Sequence, residues 1–393
     1  MRIVAKFISI MTFALVSFGV YAASVPDPNA DTVNQTMTTL MAQNQVPGVA
    51  VELYVDGKPY SYYYGYAKPQ KKVPVNEKTI FEIGSISKVM TSILLAQEVD
   101  FAKMGLNDSL DKYVKHLPDS FDDISLQDLA THTSGLPFNV PDDVVTRSQF
   151  KKYLAAWSPE YNSGEQWVYS NMGIGMLGYA LEHASHRGYD QLYRKHILSP
   201  LGMQPIGLVV PGWLQNNYAQ GYDKDGNPAP HTAIKLFPAA GDVKASAGDM
   251  RRFLAAAIGL PGTPQRILYP MRMTQAGYVK LPDCLQGLGW QIHQFTPENA
   301  ASLLIVSDEN DKDKGPVAVQ EQLEKPLFYS NALIDKTGGT EGFRAYIAVL
   351  PDKKSGVVIL ANKFIPRSVI VSAGRQILFK LNHITQQDKT NAA

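Results

Sequence analysis

The chain has 393 residues, of which 45% are hydrophobic and 19% charged, the balance of a folded globular protein and not of a disordered one. Its 37 Lys and Arg against 36 Asp and Glu leave a net charge of +1, which gives no electrostatic basis for a nucleic-acid or acidic-membrane partner. With one cysteine, Cys284, no intrachain disulfide can form, so the fold rests on its core, which a chain this long can build.

In chain order, Arg2 and Lys6 precede an apolar stretch over 7–20, and Val20-Tyr21-Ala22 supplies the cleavage positions. This predicts a secretory signal peptide over 1–22, cut after Ala22 or Ala23, and export to the periplasm. The stretch is too short to span a bilayer comfortably, and no later segment is a candidate span, so a mature monomer outside the membrane is expected. Residues 31–45 read as a helix, which leads through Pro47-Gly48 into two β-rich runs flanking Asp56-Gly57, a hairpin signal. From Ser85 to about residue 230 the text is helical and loop-rich. Cys284, among Leu281, Leu285 and Leu288, reads as a buried, inert thiol. The end returns to strands: "FRAYIAVL" and "GVVILAN" are nearly continuous apolar runs around the turn "PDKKS", the pattern of central strands buried on both faces. Residues 366–382 read as a closing helix. These elements predict an α/β plus all-α fold in which a sheet domain completed by both termini (24–84 and 232–393) carries an inserted helical domain (85–231).

The stretch "FEIGSISKVMTSILL", residues 81–95, places Ser85 and Lys88 at the head of an apolar run. On a helix, residues i and i+3 lie about one turn apart with Cβ atoms roughly 5–6 Å from each other, so hydroxyl and amine become neighbours. Val89, Met90, Ile93, Leu94 and Leu95 surround them with apolar groups, and burial disfavours the charged form of an amine. A neutral amine beside a hydroxyl is a general base beside a nucleophile. Gly84 leaves room for a substrate at the start of the helix, where backbone N–H groups favour developing negative charge. The bare pattern is weak, because Ser-x-x-Lys also occurs at Ser109 to Lys112 and at Ser148 to Lys151 in polar surroundings.

Two further motifs give it company. "VYSNMGIGMLG" places Tyr169 and Asn171 just before a glycine-rich helix, and "LIDKTGGTEGF" places Lys336, Thr337 and Gly338 on a strand that runs into a turn. Each has a decoy, Tyr329-Ser330-Asn331 for the first and Lys354-Ser355-Gly356 for the second. Lys354 falls in a polar turn, and Tyr329 leads directly into the Lys336 strand, which keeps it out of a cleft approached from the helical side.

With "TIFEIGSISK", "QDLATHTSGLP", "GEQWVYSNMGIGMLG", "LQGLGW" and "DKTGGTEGFRAYIAVLPDKKSGVVILANK" in this order, nearly the whole mature chain resembles the class C β-lactamases, within the wider set of penicillin-recognising serine enzymes. The resemblance implies a β-lactamase/transpeptidase-like fold, an antiparallel sheet domain beside a helical one with the site between them. It implies a β-lactam substrate and no metal or cofactor. Ser85 becomes the acylated nucleophile, Lys88 its buried partner, Tyr169 the proton relay, and Lys336 the partner of the substrate carboxylate and of Tyr169. Asn171 and Asn139 would bind the substrate side-chain amide, Thr337, Gly338 and Arg367 would line the carboxylate end, and the N–H groups of Ser85 and Gly339 would form an oxyanion hole.

The departures from the family pattern fall around that core. Asn139 stands where glutamine is usual, Gly241 where a tyrosine walls the pocket, Arg367 in place of an asparagine, and Asp335 before the Lys-Thr-Gly motif where histidine or asparagine is usual. They are read together as an altered substrate rim, which keeps a D-Ala-D-Ala carboxypeptidase and a β-lactamase-like esterase as alternatives. No Gly-x-Ser-x-Gly elbow is present, and the eight histidines show no recognisable ligand triplet.

Overall fold

The computed structural model describes residues 27–296, 298–307 and 315–384; the expected signal peptide over 1–22 lies outside them. Ten antiparallel strands form the main sheet: β1 (Gly48–Val55), β2 (Lys58–Lys68), β3 (Val73–Pro74), β4 (Gly277–Lys280), β5 (Leu285–Gln286), β6 (Gln291–Gln294), β7 (Glu321–Leu327), β8 (Ala332–Gly339), β9 (Arg344–Leu350) and β10 (Ser355–Ala361). Their spatial order is β7-β4-β5-β6-β8-β9-β10-β1-β2-β3. The N-terminal strands thus close onto the C-terminal ones, through Val51 opposite Ile359 and its neighbours. The β1–β2 hairpin turns at Asp56 (φ 49°) and Gly57 (φ 74°), two left-handed residues in succession, as a two-residue turn of matching twist requires. The expectation of central strands holds: every residue of β9 and β10 is buried.

Strand alternation divides the core in two. Val49, Val51 and Leu53 pack with Tyr346, Ala348 and Leu350 against Val33 and Met37 of α1 (Ala30–Asn44) and Ile370 and Ile377 of α8 (Arg367–Leu381). Ala50, Ile347, Val349 and Leu360 face the other way, into a larger cluster with α2 (Ser87–Asp100). Further helices of that cluster are α3 (Leu126–Thr131), α4 (Arg147–Ala156), α5 (Asn171–Ser185), α6 (Ala247–Ile258) and α7 (Gln265–Thr274). Helix α2 is buried from Ser87 through Glu98; a helix covered all round belongs at the centre of a large core. Among the described residues no helix is long and apolar enough to cross a membrane.

Three expectations change in detail. Ser85 lies in a 3₁₀ turn, Gly84–Ile86, and the α-helix begins two residues later at Ser87. Cys284 is half-buried, not buried, because the β4–β5 turn that carries it exposes its two predecessors, Pro282 and Asp283. Asp335 is not on the rim: neighbours on a strand point to opposite faces, so Lys336 faces the α2 side while Asp335 lies under α8, bonded to Arg375 and Tyr346.

Candidate active site

The site forms where the end of β8 meets the turn before α2. Gly84 adopts φ 51°, a left-handed conformation, and a Cβ there would lie 2.5 Å from Gly339 N. A side chain on Gly338 would collide with the Ile83 carbonyl. Glycine at both positions lets the two backbones touch, which sets Ser85 beside Gly338 and Gly339.

Lys88 is fully buried. Its Nζ donates to Ser85 Oγ at 3.0 Å, to Asn171 Oδ1 at 2.6 Å and to the Ala240 carbonyl at 2.7 Å. The last two acceptors come from the head of α5 and from the 3₁₀ turn Pro238–Ala240, so three segments distant in sequence meet on one amine. Both protonation states suit this shell: an ammonium donates three bonds, whereas a neutral amine donates to Asn171 and Ala240 and turns its lone pair to the Ser85 hydroxyl.

Tyr169 is 5% exposed, and its ring lies between two amines, with Lys88 Nζ 4.8 Å and Lys336 Nζ 4.6 Å from the ring centroid. This places the sequence-predicted quartet of Ser85, Lys88, Tyr169 and Lys336 in one cluster. Asn171 Nδ2 donates to Asn139 Oδ1 at 3.0 Å, so the two predicted amide-binding residues also meet. Ser170 caps α5 through its hydroxyl, which accepts from Gly173 N, and this fixes the turn that presents Tyr169 and Asn171.

Two cavities open on either side of Ser85, and Asn171 and Gly339 line both. One, of about 350 Å³, is bounded by the loop over 230–234 with Ala240 and Gly241. The other, of about 320 Å³, runs past Tyr169, Thr337 and Gly338 to Arg344 and Arg367. The decoys lie elsewhere. Ser148 is exposed, Lys112 pairs with Asp108 at 2.9 Å, and Tyr329 precedes β8 and lines neither cavity.

Sequence reading missed two residues here. Arg344, at the first position of β9, donates from Nε to the Ile365 carbonyl at 2.7 Å and stacks over Phe364 at 4.2 Å. It holds the strap that leads to Arg367, and only strand register could have placed it there. His132 is buried, with its ring centroid 4.4 Å from that of Tyr169. Burial first, then the amines of Lys336 and Lys88, hold its pKa well below the usual value. A neutral imidazole follows, and because its Nδ1 accepts from Ser170 N at 3.2 Å, the proton sits on Nε2. The tyrosine thus gains an aromatic neighbour that carries no charge.

A hydroxyl and amine in contact, a tyrosine between two amines and a close-packed glycine turn make up the site of a serine hydrolase. The beta-lactamase family model matches residues 33–379. The chain is 34% identical to a beta-lactamase of Yersinia enterocolitica over 89% of this chain and 90% of that protein. It is 32% identical to a beta-lactamase of Escherichia coli (strain K12) over 90% and 94%. A class C beta-lactamase solved in complex with cefoxitin superposes with a TM-score of 0.83 at 34% identity, covering 90% of this chain and 98% of that one. A D-alanine carboxypeptidase from Burkholderia cenocepacia gives 0.81 at 32% identity, covering 90% and 99%. This chain belongs to the beta-lactamase family.

Proposed function

We propose that the protein is a serine β-lactamase of class C type, which hydrolyses the cyclic amide of β-lactams through an acyl-enzyme on Ser85. The observation that carries this reading is the buried Lys88 amine 3.0 Å from the Ser85 hydroxyl, set beside Tyr169 in a chain of that family. In the first half-reaction Ser85 Oγ bonds to the lactam carbonyl carbon and its proton passes to the Lys88–Tyr169 pair. The carbonyl oxygen becomes an oxyanion held by the N–H groups of Ser85 and Gly339; removing one such donor in other hydrolases costs on the order of 10²–10³ in rate. The C–N bond then breaks and Tyr169 gives a proton to the ring nitrogen. In the second half-reaction water adds to the ester carbonyl, gives its proton to the same pair, and the proton returns to Ser85 as the ester bond breaks.

The remaining groups sort the substrate. Asn171 and Asn139 take the side-chain amide, while Lys336, Thr337 and Arg367 take the ring carboxylate at the other end. The reading also includes export to the periplasm by a cleaved leader and action as a monomer.

Nitrocefin turnover followed by mass spectrometry of the protein tests the assignment. Sustained turnover with a transient adduct is expected; one lasting stoichiometric adduct would instead indicate a carboxypeptidase. Ser85→Ala should fold normally and lose hydrolysis by about 10⁶-fold, the scale seen when catalytic groups act as a unit. An active Ser85→Ala protein would remove the assignment.

A further inference from the structure

A further cavity lies outside the cleft. It has a volume of about 730 Å³ and shares no lining residue with either cavity at Ser85. Helices α4 and α5 form its two sides, and the segments over 113–117 and 187–191 close it. Its volume is within the roughly 300–1,000 Å³ of small-molecule sites.

The sequence of α4 explains its character. Phe150 and Leu154, at i and i+4, point into the core and join Tyr113 and Met176 as a buried apolar floor. Arg147 and Lys151, also four apart, form the next stripe and stand at the rim. Lys115 and Arg187 complete a cationic edge. Glu182 is the one carboxylate among the described lining residues. It lies 3.5 Å from Arg147 and offsets one of these charges, and its other oxygen accepts from Tyr189 N at 2.8 Å. Four cations against one occupied carboxylate is a local excess in a chain whose overall charge is +1. The floor is rigid: Phe150 packs edge-on against Phe237 at 5.2 Å, and the Tyr179 hydroxyl donates to the Leu236 carbonyl.

An apolar floor under a cationic rim fits one kind of ligand. We propose that this pocket is a second binding site, for a soluble amphiphile with a single anionic head, such as a free medium-chain carboxylate. The chain enters between α4 and α5, and the carboxylate stays at the mouth with Lys151, Arg147 and Arg187. A concave pocket with charge only at its edge suits a discrete molecule better than a flat lipid surface.

The test uses the full protein with [¹³C-methyl]methionine labelling, dodecanoate as the probe, and dodecyltrimethylammonium as the cationic control. Dodecanoate should saturate a shift of the Met176 methyl signal, and blocking the Ser85 cleft with a boronic acid should leave that shift unchanged. Arg147→Glu with Lys151→Glu should weaken binding at least ten-fold while nitrocefin turnover stays at the wild-type rate. Gln191→Trp, an exposed mouth position, should plug the pocket by sterics with the charges intact. Equal binding of the cationic control, an unmoved Met176 signal, or unchanged affinity in both variants would overturn the proposal. So would retention on anionic phosphatidylglycerol vesicles without any dodecanoate response, which would make the rim a membrane contact.

Discussion

Placing a tyrosine at position 241 tests the shape of the cleft most directly. Gly241 lines the 350 Å³ cavity beside Ser85, and its φ of −173° lies outside the left-handed region that favours glycine. A Cβ there would lie 3.1 Å from Ile234 Cδ1, the movable end of a side chain, and otherwise meets only Gly84 C at 3.9 Å. Gly241→Tyr should therefore fold, with the ring entering the cavity. If a small substrate side chain covers roughly 50 Å² of ring face, at ~25 cal/mol per Å² this gives about 1.2 kcal/mol, or about eight-fold. The contact is remote from the reacting bond, so it should lower KM and leave kcat nearly unchanged. A bulky oxyimino side chain instead competes with the ring for the same volume. Steady-state kinetics on benzylpenicillin and on an oxyimino-cephalosporin should show the ratio of their kcat/KM values moving toward the small substrate by about ten-fold. An unchanged ratio in a folded variant would mean that position 241 does not touch the substrate, and the reading of this cavity would fail.

The other expectations reach the proton relay and the core. Tyr169→Phe should slow nitrocefin turnover by about 10²–10⁴-fold, the range for a general acid–base group, while Tyr329→Phe should leave the rate unchanged; the reverse result would put the site elsewhere. Asp335→Asn should cost about 3–5 kcal/mol in urea unfolding, because it leaves Arg375 buried without its anion, and should leave KM for penicillins unchanged; a KM effect without a stability loss would return Asp335 to the rim. Burial raises the Asp335 carboxyl, but Arg375, His293 and the Tyr346 hydroxyl outweigh it and hold the pKa below the usual value, so the wild-type advantage exists above pH 4 and fades as pH falls below it. Glu52 behaves oppositely: burial, against the hydrogen bonds of Ser61 and Tyr63 and the charge of Arg251, raises it from 4.5 to about 7. The folded state then binds the extra proton, so stability falls as pH rises from 4.5 to 7, by about 3 kcal/mol. Glu52→Gln should remove that slope, and urea midpoints that differ equally at pH 4.5 and pH 8 would refute it.

What the sequence made legible followed from local periodicity. The pairing of Ser85 with Lys88 is a three-residue spacing and survives even though the turn there is 3₁₀ and the helix starts later. The buried character of β9 and β10 is written in their unbroken apolar runs, and the hairpin in Asp56-Gly57. The partners that complete the site were not legible, because they are brought in by long-range packing. Ala240 offers Lys88 only a backbone carbonyl, which no residue type advertises. Arg344 reaches the cleft by opening a strand, and His132 by ending a short helix at φ 63°. Asp335 was readable and misread: the alternation that aims Lys336 at the cleft already turns its neighbour away.

Correcting Asp335 changes how the departures should be weighed. Four positions looked like one altered rim. Three of them do reach the cleft: Gly241 and Arg367 as lining, and Asn139 through its bond to Asn171. The fourth belongs to a buried group in which one carboxylate accepts from Arg375 at 2.7 Å and from Tyr346 at 2.6 Å. That group ties β8 to β9 and to α8, the helix that begins with Arg367. Any shift of α8 against the sheet would therefore strain a buried ion pair, which tolerates misalignment poorly. The Arg367 end of the cleft is held from behind by this pair and from the side by Arg344 on the Ile365 carbonyl. Beside Gly241 the opposite cavity is tied as well, by the Asp242–Lys244 ion pair at 2.6 Å and the Lys88 bond to Ala240, but there glycine leaves open volume. Substrate preference should consequently vary through the open end, by changes such as Gly241→Tyr, while the end proposed to receive the carboxylate stays fixed.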